Sequence, residues 1–121
     1  VNFQVFSYTD KLYKIIKKSD FVITRSGAST INELVFLRSP FLAIPYPFAK
    51  DDHQFFNAKY YMNKNFCWLI RETDIKENFL YNFVRNLIKN KKLIFQKKKN
   101  MQKYNKHYDW YEYSNQLNNI I

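Results

Sequence analysis

Phe21-Val22-Ile23-Thr24-Arg25-Ser26-Gly27-Ala28-Ser29-Thr30-Ile31-Asn32-Glu33-Leu34 is the stretch from which the fold can be read. Phe21, Val22 and Ile23 form a short apolar run of the kind that makes a buried strand, and Ile31, Leu34, Val35 and Leu37 recur at the spacing of one helix face. The resulting order is strand, turn, helix. Gly27 is the single glycine of the chain, so the residue that most freely takes a positive φ and admits a close backbone or ligand stands at this junction. Ser26, Ser29 and Thr30 are candidate caps for the unpaired N–H groups of the helix, and those groups together with the helix dipole also favour an anion such as a diphosphate. Glu33, one turn further in, is either a first-turn glutamate held by the dipole or an acceptor for sugar hydroxyls. Arg25 suits a phosphate or a neighbouring carboxylate.

Working outward, Phe41-Leu42-Ala43-Ile44 reads as a second buried strand that leaves through Pro45 and Pro47 into a stiffened loop, and Asp51 to Ala58 open another helix. His53, Gln54 and Asn57 fall within one turn of it. Phe66 to Ile70 read as the third strand, followed by a helix capped by Thr73 or Asp74 that buries Ile75, Phe79, Phe83, Leu87 and Ile88. Before the opening stretch, Val1 to Phe6 alternate as a half-buried strand does, and Thr9 or Asp10 caps a short helix with Leu12, Ile15 and Ile16 inward. Trp110, Tyr113, Leu117, Ile120 and Ile121 predict an amphipathic terminal helix over residues 106–121. Strands alternating with helices predict an α/β fold with a parallel sheet, whose ligands bind at the carboxyl edge.

Two segments, Ser26 to Leu34 and Ser39 to Ala58, in this order and separation resemble the donor-sugar half of the MurG-type glycosyltransferases of family 28. These bacterial enzymes move N-acetylglucosamine from UDP-N-acetylglucosamine to lipid I, giving lipid II for peptidoglycan. The resemblance runs from about Thr9 to Ile70. It implies a Rossmann-like, incomplete C-terminal half of a GT-B fold, with residues 1–121 a partial nucleotide-sugar-binding domain and the N-terminal acceptor domain absent. It also implies site roles. Tyr8-Thr9-Asp10 aligns with the segment whose backbone meets uracil, Thr9 standing where the family commonly has an aliphatic residue. Ser26 and Gly27 form the turn, Ala28, Ser29 and Thr30 line the diphosphate and ribose, and Glu33 holds the ribose hydroxyls. His53 and Gln54 contact the N-acetylglucosamine ring, and Asn57 supports that helix start or the sugar. No catalytic residue is assigned to this chain; in the family the candidate general base lies in the acceptor domain. An inverting hexosyl transfer without metal or cofactor is implied, and this chain alone is expected to be inactive.

Composition bounds what else the chain can be. Its 121 residues and 46% hydrophobic content suit one modest domain rather than disorder. Cys67 is the only cysteine, which excludes an internal disulfide and a cysteine-rich metal site. Asp51 and Asp52 are a poor cation cage without further ligands, so no metal is expected. The net charge of +10 is concentrated between Arg85 and Lys106, where nine of the 20 basic residues sit without an acid. That run reads as a solvated helix surface or as an attachment to anionic lipid. The expected partners are thus UDP-N-acetylglucosamine, lipid I through the other domain, and the cytoplasmic face of an anionic inner membrane, contacted peripherally. Two rival functions are a donor-binding subunit of a split glycosyltransferase with a separate membrane partner, and a basic nucleic-acid module. No nucleic-acid motif supports the second, and no nucleic acid is expected.

Overall fold

The structure, a computed structural model, describes residues 3–105; the helix expected over 106–121 lies outside the described residues. Helix α1 (Leu12–Lys18) leads into strand β1 (Val22–Thr24), then helix α2 (Ala28–Phe36), strand β2 (Phe41–Ala43), helix α3 (His53–Asn63) and strand β3 (Cys67–Leu69). Helices α4 (Phe79–Lys89) and α5 (Lys92–Tyr104) follow. The strands are parallel in the order β1-β2-β3, with Ile23 beside Leu42 and Leu42 beside Trp68. The expectation of a parallel α/β sheet is met.

Side chains alternate across a strand, so each face of this sheet collects one parity. Phe41, Ala43 and Cys67 join Ile31, Leu34 and Val35 of α2 and Ala58 of α3 in one buried cluster. Right-handed crossovers place α2 and α3 together on that face. Met101 of α5 closes the same cluster. On the other face Trp68 meets Phe83 of α4 edge-on at 5.5 Å, and Phe21 packs against both rings at 5.8–5.9 Å. Each fully buried aliphatic side chain in such a core stabilises by about 1.5–3 kcal/mol.

Three expectations are corrected. Residues 3–6 form no strand, and Phe3 and Val5 are each 84% exposed: alternation makes a strand only where an edge is there to pair with it. In α1 only Ile16 is buried, while Leu12 and Ile15 stay exposed. The helix after β3 starts later than Thr73 or Asp74, which lie in a single 3-10 turn (Glu72–Asp74); α4 begins after Asn78, which carries a left-handed φ of 65°. Along it Leu87 is buried but Ile88 is not.

Candidate functional site

The loops after β1, β2 and β3 meet at the carboxyl edge of the sheet. Gly27 is the N-cap of α2 with φ −63° and ψ 147°. The freedom to take a positive φ is not used, because the chain enters the helix through the extended N-cap conformation open to any L residue. A Cβ built on Gly27 would meet only Gln54 Nε2, at 3.9 Å, so the glycine leaves a bare surface beside that amide.

No side chain caps α2, which corrects the capping expected of Ser26, Ser29 and Thr30. Ser26 is fully buried and its hydroxyl donates to the Gln54 carbonyl at 2.8 Å. Ser29 and Thr30 sit inside the first turn, past the cap position. The N–H groups of Ala28, Ser29 and Thr30 therefore face the loop cluster at the positive end of the helix dipole, without a side-chain cap, as an anion site requires. Ser29 and Glu33, four residues apart, share one helix face; Ser29 is exposed and Thr30 and Glu33 are half-buried.

Gln54 ties the loops together. Its Oε1 accepts from Ser26 N–H at 3.2 Å and from Tyr46 N–H at 2.9 Å, so one amide oxygen holds the β1–α2 turn to the β2–α3 loop. Arg25 makes a second tie. Its Nη1 donates to the Ile44 and Pro45 carbonyls at 3.3 Å each, and its Nη2 pairs with Glu72 Oε1 at 2.6 Å. Glu72 is thus the carboxylate partner of Arg25. A third tie joins Arg71 to Asp52 at 2.7 Å, with the guanidinium 3.8 Å from the Phe55 ring centroid; the hydrogen bond that Arg71 donates to Asp52 raises its pKa above the ordinary value.

The structure brings Ser26, Gly27, Ala28, Gln54 and Asn57 together. Ala28 and Asn57 line one cleft of about 350 Å³ between α2 and α3, together with Asn32 and Tyr60. His53, exposed at the start of α3, binds the Lys50 carbonyl through Nδ1 at 2.8 Å. That bond places a proton on Nδ1, since a carbonyl only accepts, and leaves Nε2 facing out. Thr9 stands apart, its hydroxyl accepting from Lys11 N–H at 3.0 Å. Sequence reading missed Asn32 and Tyr60 as cleft residues. Asn32 was within reach, because it follows Ala28 by four on one helix face, whereas nothing local announces Glu72 as the partner of Arg25.

Comparison with known proteins agrees with this architecture. The glycosyltransferase family 28 C-terminal domain matches residues 1–120. A Pelagibacter ubique protein named UDP-N-acetylglucosamine–N-acetylmuramyl-(pentapeptide) pyrophosphoryl-undecaprenol N-acetylglucosamine transferase is 44% identical over 117 residues, 97% of this chain and 31% of that protein. A Rickettsia akari protein of the same name is 36% identical over 103 residues, 85% of this chain and 27% of that protein. The chain thus spans roughly a third or less of the length of these relatives. The crystal structure of Acinetobacter baumannii MurG superposes with a TM-score of 0.74 at 24% identity, over 83% of this chain and 28% of that one, which establishes the shared fold.

Proposed function

This chain belongs to the glycosyltransferase family 28 C-terminal domains, and on that premise we propose that it supplies the donor half of an N-acetylglucosaminyltransferase. The reaction moves N-acetylglucosamine from UDP-N-acetylglucosamine to undecaprenyl-linked N-acetylmuramyl-pentapeptide, lipid I, giving lipid II of peptidoglycan. The observation that carries the reading is the uncapped N-terminus of α2 at the carboxyl edge of a parallel sheet, opposed by Gln54 of α3. The names of the 44% and 36% identical relatives support it.

In this reading residues 1–121 are part of a nucleotide-sugar-binding domain within a longer protein. The Ala28, Ser29 and Thr30 N–H groups take the diphosphate, and Glu33 accepts from both ribose hydroxyls in charge-assisted bonds. Gln54 Nε2, Asn57 and His53 meet the sugar, and the backbone around Thr9 meets uracil. When the acceptor hydroxyl attacks the anomeric carbon, the bond to the diphosphate breaks and negative charge gathers on UDP. The fixed N–H dipoles of α2 stabilise that charge without rearranging. Removal of the acceptor proton falls to residues outside this chain. The protein works at the cytoplasmic face of the inner membrane as a peripheral enzyme; among the described residues no helix is long and apolar enough to cross a bilayer.

Ligand-observed NMR tests the donor site directly. Saturation transfer from the chain to the uridine and acetyl protons of UDP-N-acetylglucosamine, exceeding that to UDP-glucose and weakened in Glu33→Ala with unchanged circular dichroism, is the expected result. A folded chain giving no transfer would remove this placement of the donor site.

A further inference from the structure

Helix α4 carries a face that the described fold leaves open. Ile88 is 65% exposed, Tyr81 64% and, on α5, Phe95 64%. A cleft of about 430 Å³ runs between α4 and α5 past Val84, Ile88 and Phe95, and a second of about 530 Å³ runs along the other flank of Ile88 past Leu80 and Tyr81. Val84 and Ile88 line both, so the two clefts are one apolar surface with Ile88 as its ridge.

Cations rim this surface. Lys91 and Lys98 line the first cleft and Arg85 and Lys89 the second, against one acid, Asp20. Lys99 adds a fifth positive charge, its ammonium 6.0 Å from the Phe95 ring centroid. Asp20 and Phe21, at the floor of the first cleft, precede β1. The first cleft therefore lies toward the amino end of the strands, and neither cleft is lined by a residue of the α2 N-terminus or of the start of α3, so the surface shares no residue with the donor site.

We propose that this surface docks on an anionic lipid bilayer, with Ile88 and Phe95 entering the boundary between headgroups and acyl chains and the rim cations meeting lipid phosphates. Exposed aliphatic and aromatic side chains inside a lysine and arginine rim are the chemistry of an interfacial helix. A polynucleotide would satisfy the rim but leave Ile88 and Val84 facing water. The inference rests on the peripheral location proposed above and gives it a surface.

Co-sedimentation tests it, using the whole chain with vesicles of equimolar phosphatidylglycerol and phosphatidylcholine, and with phosphatidylcholine alone. The chain is expected to sediment with the anionic vesicles only. Each well-placed cation contributes about fivefold in affinity, so Lys89→Glu/Lys91→Glu is expected to lose about tenfold or more, against a smaller loss for Lys14→Glu/Lys17→Glu on α1. Ile88→Asp/Phe95→Ser, at two exposed positions that keep the circular dichroism signal, is expected to lose about tenfold as well. If the α4–α5 variants bind like the α1 control, overall charge is responsible: the docking surface is overturned and the peripheral location stands. If the parent chain binds neither vesicle, the docking surface is overturned, while a peripheral location conferred by the rest of the longer protein stands. Sedimentation velocity without lipid supplies the other arm. A dimer dissolved by Ile88→Asp would assign the surface to a second copy. A chain ending at Asn105 that binds vesicles about tenfold more tightly than the parent would assign it to residues 106–121. Either result overturns the proposal.

Discussion

Gln54 uses the two ends of one amide differently: Oε1 holds Ser26 and Tyr46, while Nε2 lies beside Gly27. Gln54→Ala leaves both backbone donors unpaired and is expected to cost about 1–3 kcal/mol in urea unfolding. Gln54→Glu keeps the acceptor oxygen but replaces the Nε2 donor with a second acceptor and brings a negative charge near the α2 N-terminus. It should fold with a smaller penalty and fail to retain UDP-N-acetylglucosamine in the NMR titration. Gly27→Ala separates fold from function in the same way. At φ −63° and with 3.9 Å of room it should stabilise the chain by about 0.4–1 kcal/mol through the unfolded state, while its new methyl obstructs the donor; equal donor affinity in both proteins would deny the glycine a binding role. Cys67 belongs to stability alone. Burial pushes its thiol from 9.0 up to about 12. Between those values the unfolded chain loses a proton that the folded chain keeps, so stability falls as pH rises above 9 and is untouched below it. Comparing Cys67→Val with the parent chain in urea at pH 7 and pH 10 should show a gap that opens only at pH 10, by about 1 kcal/mol.

Among the elements, the entry to α3 carries two left-handed residues in succession. Asp51 and Asp52 take φ values of 55° and 54°. Aspartate tolerates that region better than most residues, and Arg71 holds Asp52 there. Asp51 makes no such bridge, so Asp51→Gly should be neutral or stabilising, and Asp51→Val should cost about 1–2 kcal/mol in thermal or urea unfolding. Two equal midpoints would show that the turn relaxes freely. Element identity was legible where burial is two-sided: β2 reads as a continuous apolar run, and all three of its residues are buried. It was not legible at residues 3–6, whose alternation is as good as that of a real strand. Pairing is a property of two segments, and a pattern within one segment carries no information about the other.

On the scale of the whole molecule, α5 returns the end of the described chain to α2. Asn105 donates through Nδ2 to the Val35 carbonyl at 2.6 Å, and Met101 fills the cluster around Ile31 and Leu34. Ile31 is fully buried, and Ile31→Ala is expected to cost about 2–5 kcal/mol, a large part of what so small a domain has; a midpoint unchanged in urea would show the cluster to be dispensable. Local order was already present in the residue pattern: strand before turn before helix, two such units in succession, and the turn and helix start that make the candidate site, because periodicity and turn chemistry act over a few neighbouring residues. Tertiary structure alone decided that Ser26 is spent on Gln54, that Arg25 reaches Glu72, that Gly27 needs no positive φ, and that Ile88 stays in water while Leu87 does not. Those outcomes depend on which distant backbone or side chain arrives within about 3–4 Å, a distance at which hydrogen bonds and packing act and which periodicity along one chain cannot encode.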